Sequence, residues 1–247
     1  MKKIVFRADD AGSSEGANIA ILRTVREGVV RNVGVMAPGP ALSSAAELLR
    51  DLEGVNLGLH VTLNAEWDRV KWGPVLPAAE VPSLVEVDGS FTSEPATLKE
   101  RGFSVDEAMA EVAAQLAKLR ESGLRIDYLD EHMGVGWIGL VDRLEEFCSK
   151  KGLVFARRVP FLEGSQTQDV SALLETISAA SDAPHVVVAH PGSDVDPTMR
   201  QFTLGGMQPG EVLRERAQDR RVLTDPRLVD AVRQGRILSM TYREAAQ

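Results

Sequence analysis

Short apolar runs and amphipathic stretches of helical period alternate along almost the whole chain, and this alternation is what most constrains the fold. Apolar runs at Ile4 to Phe6, Asn32 to Ala37 ("NVGVMA"), "VNLGLHVTL", "LRIDYLDEH", "LVFARRVP", "HVVVAHPG" and "RILSMTY" read as strands. Between them lie helical segments: about Glu15 to Glu27, "ALSSAAELLRDLEG", "SVDEAMAEVAAQLAKLRESG", Ile138 to Lys150, Val170 to Ala180, Glu211 to Arg220 and Pro226 to Arg233. The third is the clearest, with Val105, Met109, Val112, Leu116 and Leu119 on one face. Ser104 is placed as its N-cap, Glu107 as the other half of a capping box, and Gly123 as its stop. A strand, a helix and a returning strand demand parallel pairing. At 247 residues the expectation is an α/β fold, a TIM-like (β/α) barrel of about seven parallel strands, in a single catalytic domain spanning 1–247. No G-x-G-x-x-G follows the first strand, so a dinucleotide fold is disfavoured.

The alternation lapses once, from Asn64 to Phe103. This stretch holds Trp67, Trp72 and four prolines, Pro74, Pro77, Pro82 and Pro95. Long loops in compact domains are either functional or solvated insertions. With two tryptophans and "VDGSF" as a hairpin-like turn, the reading favours an ordered excursion over the barrel mouth, and Trp67 and Trp72 are candidate substrate-binding residues.

Charge narrows the partners. A formal net charge of −8 argues against nucleic acid, whose phosphates call for basic stripes. The single cysteine, Cys148, excludes an intrachain disulfide and fits a reducing compartment; it reads as a small buried hydrophobe. The apolar run after "MKK" is too short for a secretory h-region, and no run approaches the ~20 apolar residues of a membrane span. The expectation is a cytoplasmic protein with no membrane partner, and a homodimer is compatible with it.

The chemistry-bearing residues gather at strand ends. Asp9 and Asp10 follow the first strand, His60 closes "NLGLH", Asp130, Glu131 and His132 follow "RIDYL", Arg157 and Arg158 follow "LVF", and His190 follows "HVVVA". Three of the four histidines therefore sit at C-terminal strand ends; His185, at a strand start, is discounted. Taken singly, an Asp-Asp pair reads as turn or capping chemistry, and Arg158 as a salt-bridge partner. In a β/α barrel, however, these ends share the face where active sites are built. An aspartate with two histidines is a common way to hold a catalytic divalent metal while leaving positions open.

These residues, in their order, resemble a known family. "RADDAGSSEGAN", "GLHVTLN", "LDEHMG" and "VVVAHPG" are similar to the ordered motifs of the YdjC/ChbG-like carbohydrate deacetylases, relatives of the polysaccharide deacetylases, and "PSLVEVDGSF" resembles that family's loop after the second motif. The resemblance implies a distorted (β/α) barrel that removes acetyl groups from N-acetylated sugars with a divalent metal ion, magnesium or zinc. It implies Asp10, His60 and His132 as metal ligands, Asp9 as the base that activates water, and His190 as the acid or as a stabiliser of the tetrahedral intermediate. Arg158 would orient Asp9 or bind substrate. Two positions depart from the pattern: Gly134 stands where the family has its second histidine, and Ala11 where an aromatic residue is common. The missing histidine keeps open a catalytically silent sugar-binding protein on this scaffold; a third reading is a metal-dependent hydrolase of another bond, such as a phosphoester. Few basic residues flank the strand ends, which counts against the phosphoester.

Overall fold

The computed structural model describes every residue of the chain except Gln168. Among the described residues, seven strands are β1 (Lys2–Ala11), β2 (Asn32–Val35), β3 (Asn56–Val61), β4 (Ile126–Glu131), β5 (Val154–Phe155), β6 (His185–Ala189) and β7 (Ile237–Ser239). The helices are α1 (Glu15–Arg26), α2 (Leu42–Leu49), α3 (Pro95–Arg101), α4 (Val105–Glu121), α5 (Val141–Lys151), α6 (Val170–Ala179), α7 (Glu211–Leu223), α8 (Pro226–Arg233) and α9 (Tyr242–Ala245). Every strand pair is parallel, in the order β5-β4-β3-β2-β1-β6, with β7 on β1. The sheet curls into a half-barrel, the distorted TIM-like form.

Strand β1 organises the curl. Its residue Ile4 pairs with His185 on one edge and Ser239 on the other, so β7 extends the edge that β2 occupies from Arg7 onward. The open side is bridged by one stretch of chain. After β5 bonds to β4, Ala156–Arg158 turn as a 3-10 helix, and Phe161 then bridges to Val186 of β6. The strand read from "LVFARRVP" is thus cut to two residues by that turn. The last strand also ends early, because Tyr242 already belongs to α9.

Alternation along β1 divides the interior. Ile4, Phe6 and Ala8 face the helices and join the main core, whereas Val5 packs inside the curl with Tyr128, Ala156, Val159, Val186 and Tyr242. Arg7 and Asp9 continue the inward row, so the barrel interior turns polar toward the C-terminal strand ends. Ala11, by contrast, belongs to the main core beneath the helices. Cys148 is buried, and burial pushes its thiol up to about 12, as suits an inert packing residue.

The stretch between β3 and α4 is ordered. Val85 and Phe91 form an antiparallel bridge around Gly89, whose φ is +84°. Two glutamates of α4 seat this stretch. Buried Glu111 accepts from the N–H groups of Val75 (2.8 Å) and Leu76 (3.0 Å). Glu107 accepts from Ser83 N (2.8 Å) and Ser83 Oγ (2.7 Å). The capping box expected at α4 is therefore half-formed: Ser104 Oγ accepts from Glu107 N, but the Glu107 carboxylate goes to the loop. Among the described residues, no helix is long and apolar enough to cross a membrane.

Candidate metal centre

Two adjacent strand residues normally point to opposite faces. Asp9 and Asp10 escape this because the β1–β2 register shifts between Ala8 and Ala11 and Asp10 takes a left-handed backbone, with φ of +69°. Aspartate is one of the few non-glycine residues that tolerates this conformation. The turn behind it is pinned by Asn18, whose Oδ1 accepts from Gly12 N (2.7 Å) and whose Nδ2 donates to the Ala41 carbonyl (3.0 Å). Both carboxylates thereby reach His60.

His60 comes from β3, and His132 follows directly on β4. Asp10 Oδ1 lies 3.4 Å from His60 Nε2 and 3.3 Å from His132 Nδ1, and the two ring nitrogens are 3.2 Å apart. All three side chains are buried. Behind the triangle, His60 Nδ1 meets Asp130 Oδ2 at 2.8 Å, and His132 Nε2 meets Glu66 Oε2 at 2.9 Å. Arg7 lies below: it donates to Asp9 Oδ2 (2.7 Å) and to the Tyr242 hydroxyl (3.0 Å), and lies 3.2 Å from Asp130 Oδ2. The second acidic cluster, Asp9, His60 and Asp130, thus already holds a cation, the guanidinium.

The electrostatics follow from four carboxylates around two imidazoles. Burial works against the charge on Asp10, but its contacts with His132 and His60 and the charge of Arg216 hold its carboxyl well below the usual range. Burial likewise opposes protonation of His132, yet Glu66 and Asp10 raise it to about 9; Asp130 and Asp9 raise His60 well above its ordinary value in the same way. The site therefore demands positive charge. Asp9 Oδ1 and Asp10 Oδ1 are buried without a hydrogen-bond partner. Ligand bonds of about 2.1 Å at tetrahedral to octahedral angles separate neighbouring donors by about 3.0 to 3.4 Å. The triangle's donor set and edges fit a divalent ion.

Room for this arrangement is made by glycine. A Cβ on Gly34 would stand 2.8 Å from Asp9 Oδ1 and 3.2 Å from His60 Nδ1. Gly134, where a histidine was expected by resemblance, has φ of +64° and lines a cavity of about 120 Å³ with Arg7, Asp130, Phe161 and Tyr242.

The other candidates are placed unequally. His190 follows β6 and is half-buried; its backbone N–H donates to Asp219 Oδ2 at 2.9 Å. Trp72 is buried, its ring at 66° to that of His132 (6.2 Å between centroids), and its Nε1 donates to the Asn64 carbonyl. Trp67 is buried and stacked on Phe202 at 4.9 Å. Neither ring offers an open face to a sugar. Arg158 is not at the site: the 3-10 turn after β5 carries it outward to pair with Glu145 at 3.1 Å, and Arg7 orients Asp9 instead.

Arg7, Glu66, Arg216 and Asp219 are not singled out from the sequence, and Asp130 is noted there at its strand end without a role. A period-2 reading of β1 and β4 puts Arg7 beside Asp9, and Asp130 beside His132. No local pattern points to Glu66, Arg216 or Asp219, which reach the site from a loop and from α7.

The fold and site define a curled parallel (β/α) barrel with a carboxylate and two imidazoles converging at its C-terminal strand ends. The chain belongs to the YdjC-like protein family, whose model matches residues 3–169. It is similar to the carbohydrate deacetylase of Listeria monocytogenes serotype 4b (strain F2365), with 33% identity over 135 residues, 54% of this chain and 52% of that protein. The carbohydrate deacetylase of Halalkalibacterium halodurans is 28% identical over 154 residues, 61% of this chain and 62% of that one. The chain thus spans about half the length of the curated relatives it matches. Its fold is like that of an Enterococcus faecalis V583 protein named for cellobiose-phosphate cleavage, with a TM-score of 0.75, 20% identity and 98% of each chain covered.

Proposed function

We propose that the chain is a metal-dependent carbohydrate deacetylase that hydrolyses the N-acetyl group of an acetylated sugar. The observation that carries this reading is the buried triangle of Asp10 Oδ1, His60 Nε2 and His132 Nδ1, with edges of 3.2 to 3.4 Å. When bound there, a divalent ion such as zinc or magnesium supplies Lewis acidity toward water and the amide carbonyl.

The protein's own groups do the rest. Arg7 fixes Asp9 through Oδ2 and leaves Oδ1 without a partner, the oxygen that takes the proton of the attacking water. Asp130 and Glu66 orient the two imidazoles from behind. His190 donates a proton to the departing amine, on a backbone anchored by Asp219. Buried Trp72 walls the triangle beside His132 and keeps water from that side.

Acetate release from N-acetylglucosamine oligomers tests this directly. Metal-free protein is expected to be silent, activity to return with added zinc or magnesium, and Asp10→Asn or His60→Ala to abolish it. Turnover that survives chelation and both substitutions would sink the assignment, and so would preferential release of phosphate from phosphorylated sugars in the same assay.

A further inference from the structure

We propose that Arg216 is a positioning residue for Asp10: it holds one carboxylate oxygen out of the metal's coordination shell and so keeps a position open for substrate. The inference rests on the metal reading above. Asp10 divides its oxygens: Oδ1 faces the two imidazoles, while Oδ2 lies 3.4 Å from a terminal nitrogen of Arg216. The same guanidinium also lowers Asp219, three residues further along α7, which burial otherwise pushes up.

Arg216 comes from α7, beyond the part of the chain matched by the family model. The helix is seated so that this side chain reaches the site. Gly192 N donates to the Arg216 carbonyl (2.8 Å), Arg220 Nε donates to the Gly192 carbonyl (3.2 Å), and His190 N donates to Asp219 (2.9 Å). A Cβ on Gly192 would lie 2.6 Å from Arg216 Cβ, so the glycine lets the helix come this close. These seating bonds use the Arg216 backbone and its neighbours, so changing the side chain leaves them intact.

A carboxylate can bind a divalent cation through one oxygen or two. A guanidinium on the second oxygen enforces the first mode, and its charge opposes that of the metal. The consequence is a metal held more weakly but with more of its coordination sphere open. Removing the guanidinium reverses both effects.

Titration of metal-free protein with Co²⁺ tests this by calorimetry and visible absorption, alongside acetate release. Arg216→Met is expected to bind Co²⁺ about tenfold tighter, a difference of about 1.4 kcal/mol. Its absorption should weaken as Asp10 adds a second oxygen, since cobalt of higher coordination number absorbs less, and kcat should fall with little change in KM. Arg216→Lys, which restores charge without the planar fork, should fall between. Arg216→Gln serves as a second uncharged variant, and a thermal melt checks that each is folded. Equal Co²⁺ affinity and spectrum in wild type and both uncharged variants would overturn this inference alone. A wild-type protein that takes up no Co²⁺ would overturn the metal reading as well.

Discussion

His60 and Asp130 are direct neighbours in the β3–β4 register, and their Nδ1 and Oδ2 atoms lie 2.8 Å apart. The carboxylate accepts the Nδ1 proton and so aims Nε2 at Asp10 and His132. Groups behind a metal-binding histidine commonly contribute 10- to 100-fold in affinity. Asp130→Ala is therefore expected to weaken metal binding by about that factor while every proposed ligand remains. Competition with a coloured chelator measures it, and undiminished affinity would refute the role.

Arg7 is the cation of the barrel interior, 4% exposed and bonded to Asp9 and Tyr242 with Asp130 alongside. Removing one partner of a buried ion pair leaves the other charge uncompensated and costs about 3 to 5 kcal/mol. Arg7→Met should lower the urea-unfolding free energy by an amount in that range. It should also impair catalysis through Asp9 beyond what the fraction folded explains. An unchanged unfolding midpoint would show that Asp9 and Asp130 do not need this counter-charge.

Strand-helix alternation was enough to expect a parallel barrel, because crossovers leave little other choice. It was also enough to bring Asp10, His60 and His132 to one end, since all three sit where apolar runs stop. What alternation does not carry is the side of the barrel wall on which a residue lands. Arg158 was misread because β5 stops after two residues and its turn carries the arginines outward. Arg7 was passed over within an apolar run although it shares Asp9's face. Glu66 and Arg216 depend on how a loop and a distant helix dock, and those contacts have no periodic signature.

The inward-facing glycines make a further prediction. A Cβ at Gly58 would lie 2.3 Å from the Tyr128 ring, which is fully buried. Overpacking of this kind typically costs about 1 to 3 kcal/mol, so Gly58→Ala should lower thermal stability by that order. Gly34→Ala meets Asp9 and His60 instead, so its main effect should be on turnover. Full activity in Gly34→Ala would mean that the Asp9–His60 geometry is less constrained than the close approach implies.

In the metal-free protein, His132 binds its proton up to about pH 9, against about 6.5 in an unfolded chain. The folded state then holds more protons than the unfolded state between those values. The stabilisation from this group is complete below about pH 6.5 and is lost as pH rises through about 9. A metal ligand must be neutral, so metal uptake releases this proton and apparent affinity should climb with pH over the same window. Calorimetry in two buffers of different ionisation enthalpy counts the released protons. Zero release at pH 7.5 would exclude a protonated His132.

Asp219 separates hydrogen bonding from charge at the His190 loop. Burial pushes its carboxyl up to about 6, partly offset by Arg216, while Oδ2 accepts from His190 N at 2.9 Å. An acid whose folded pKa exceeds its unfolded value keeps its proton longer in the native state, so stability falls as pH rises from about 4 through about 6. Asp219→Asn retains an oxygen acceptor and removes the charge. It should keep near-wild-type turnover and flatten that fall in a series of urea titrations from pH 4 to 7. Asp219→Ala removes the acceptor, takes the partner from a part-buried N–H at a cost of about 1 kcal/mol, and frees the backbone that carries His190. Its kcat should drop about tenfold or more with a smaller change in metal affinity, because the metal triangle is built on other strands and the Gly192 contacts still seat α7. Equal kcat in the two variants would show that this hydrogen bond does not position His190.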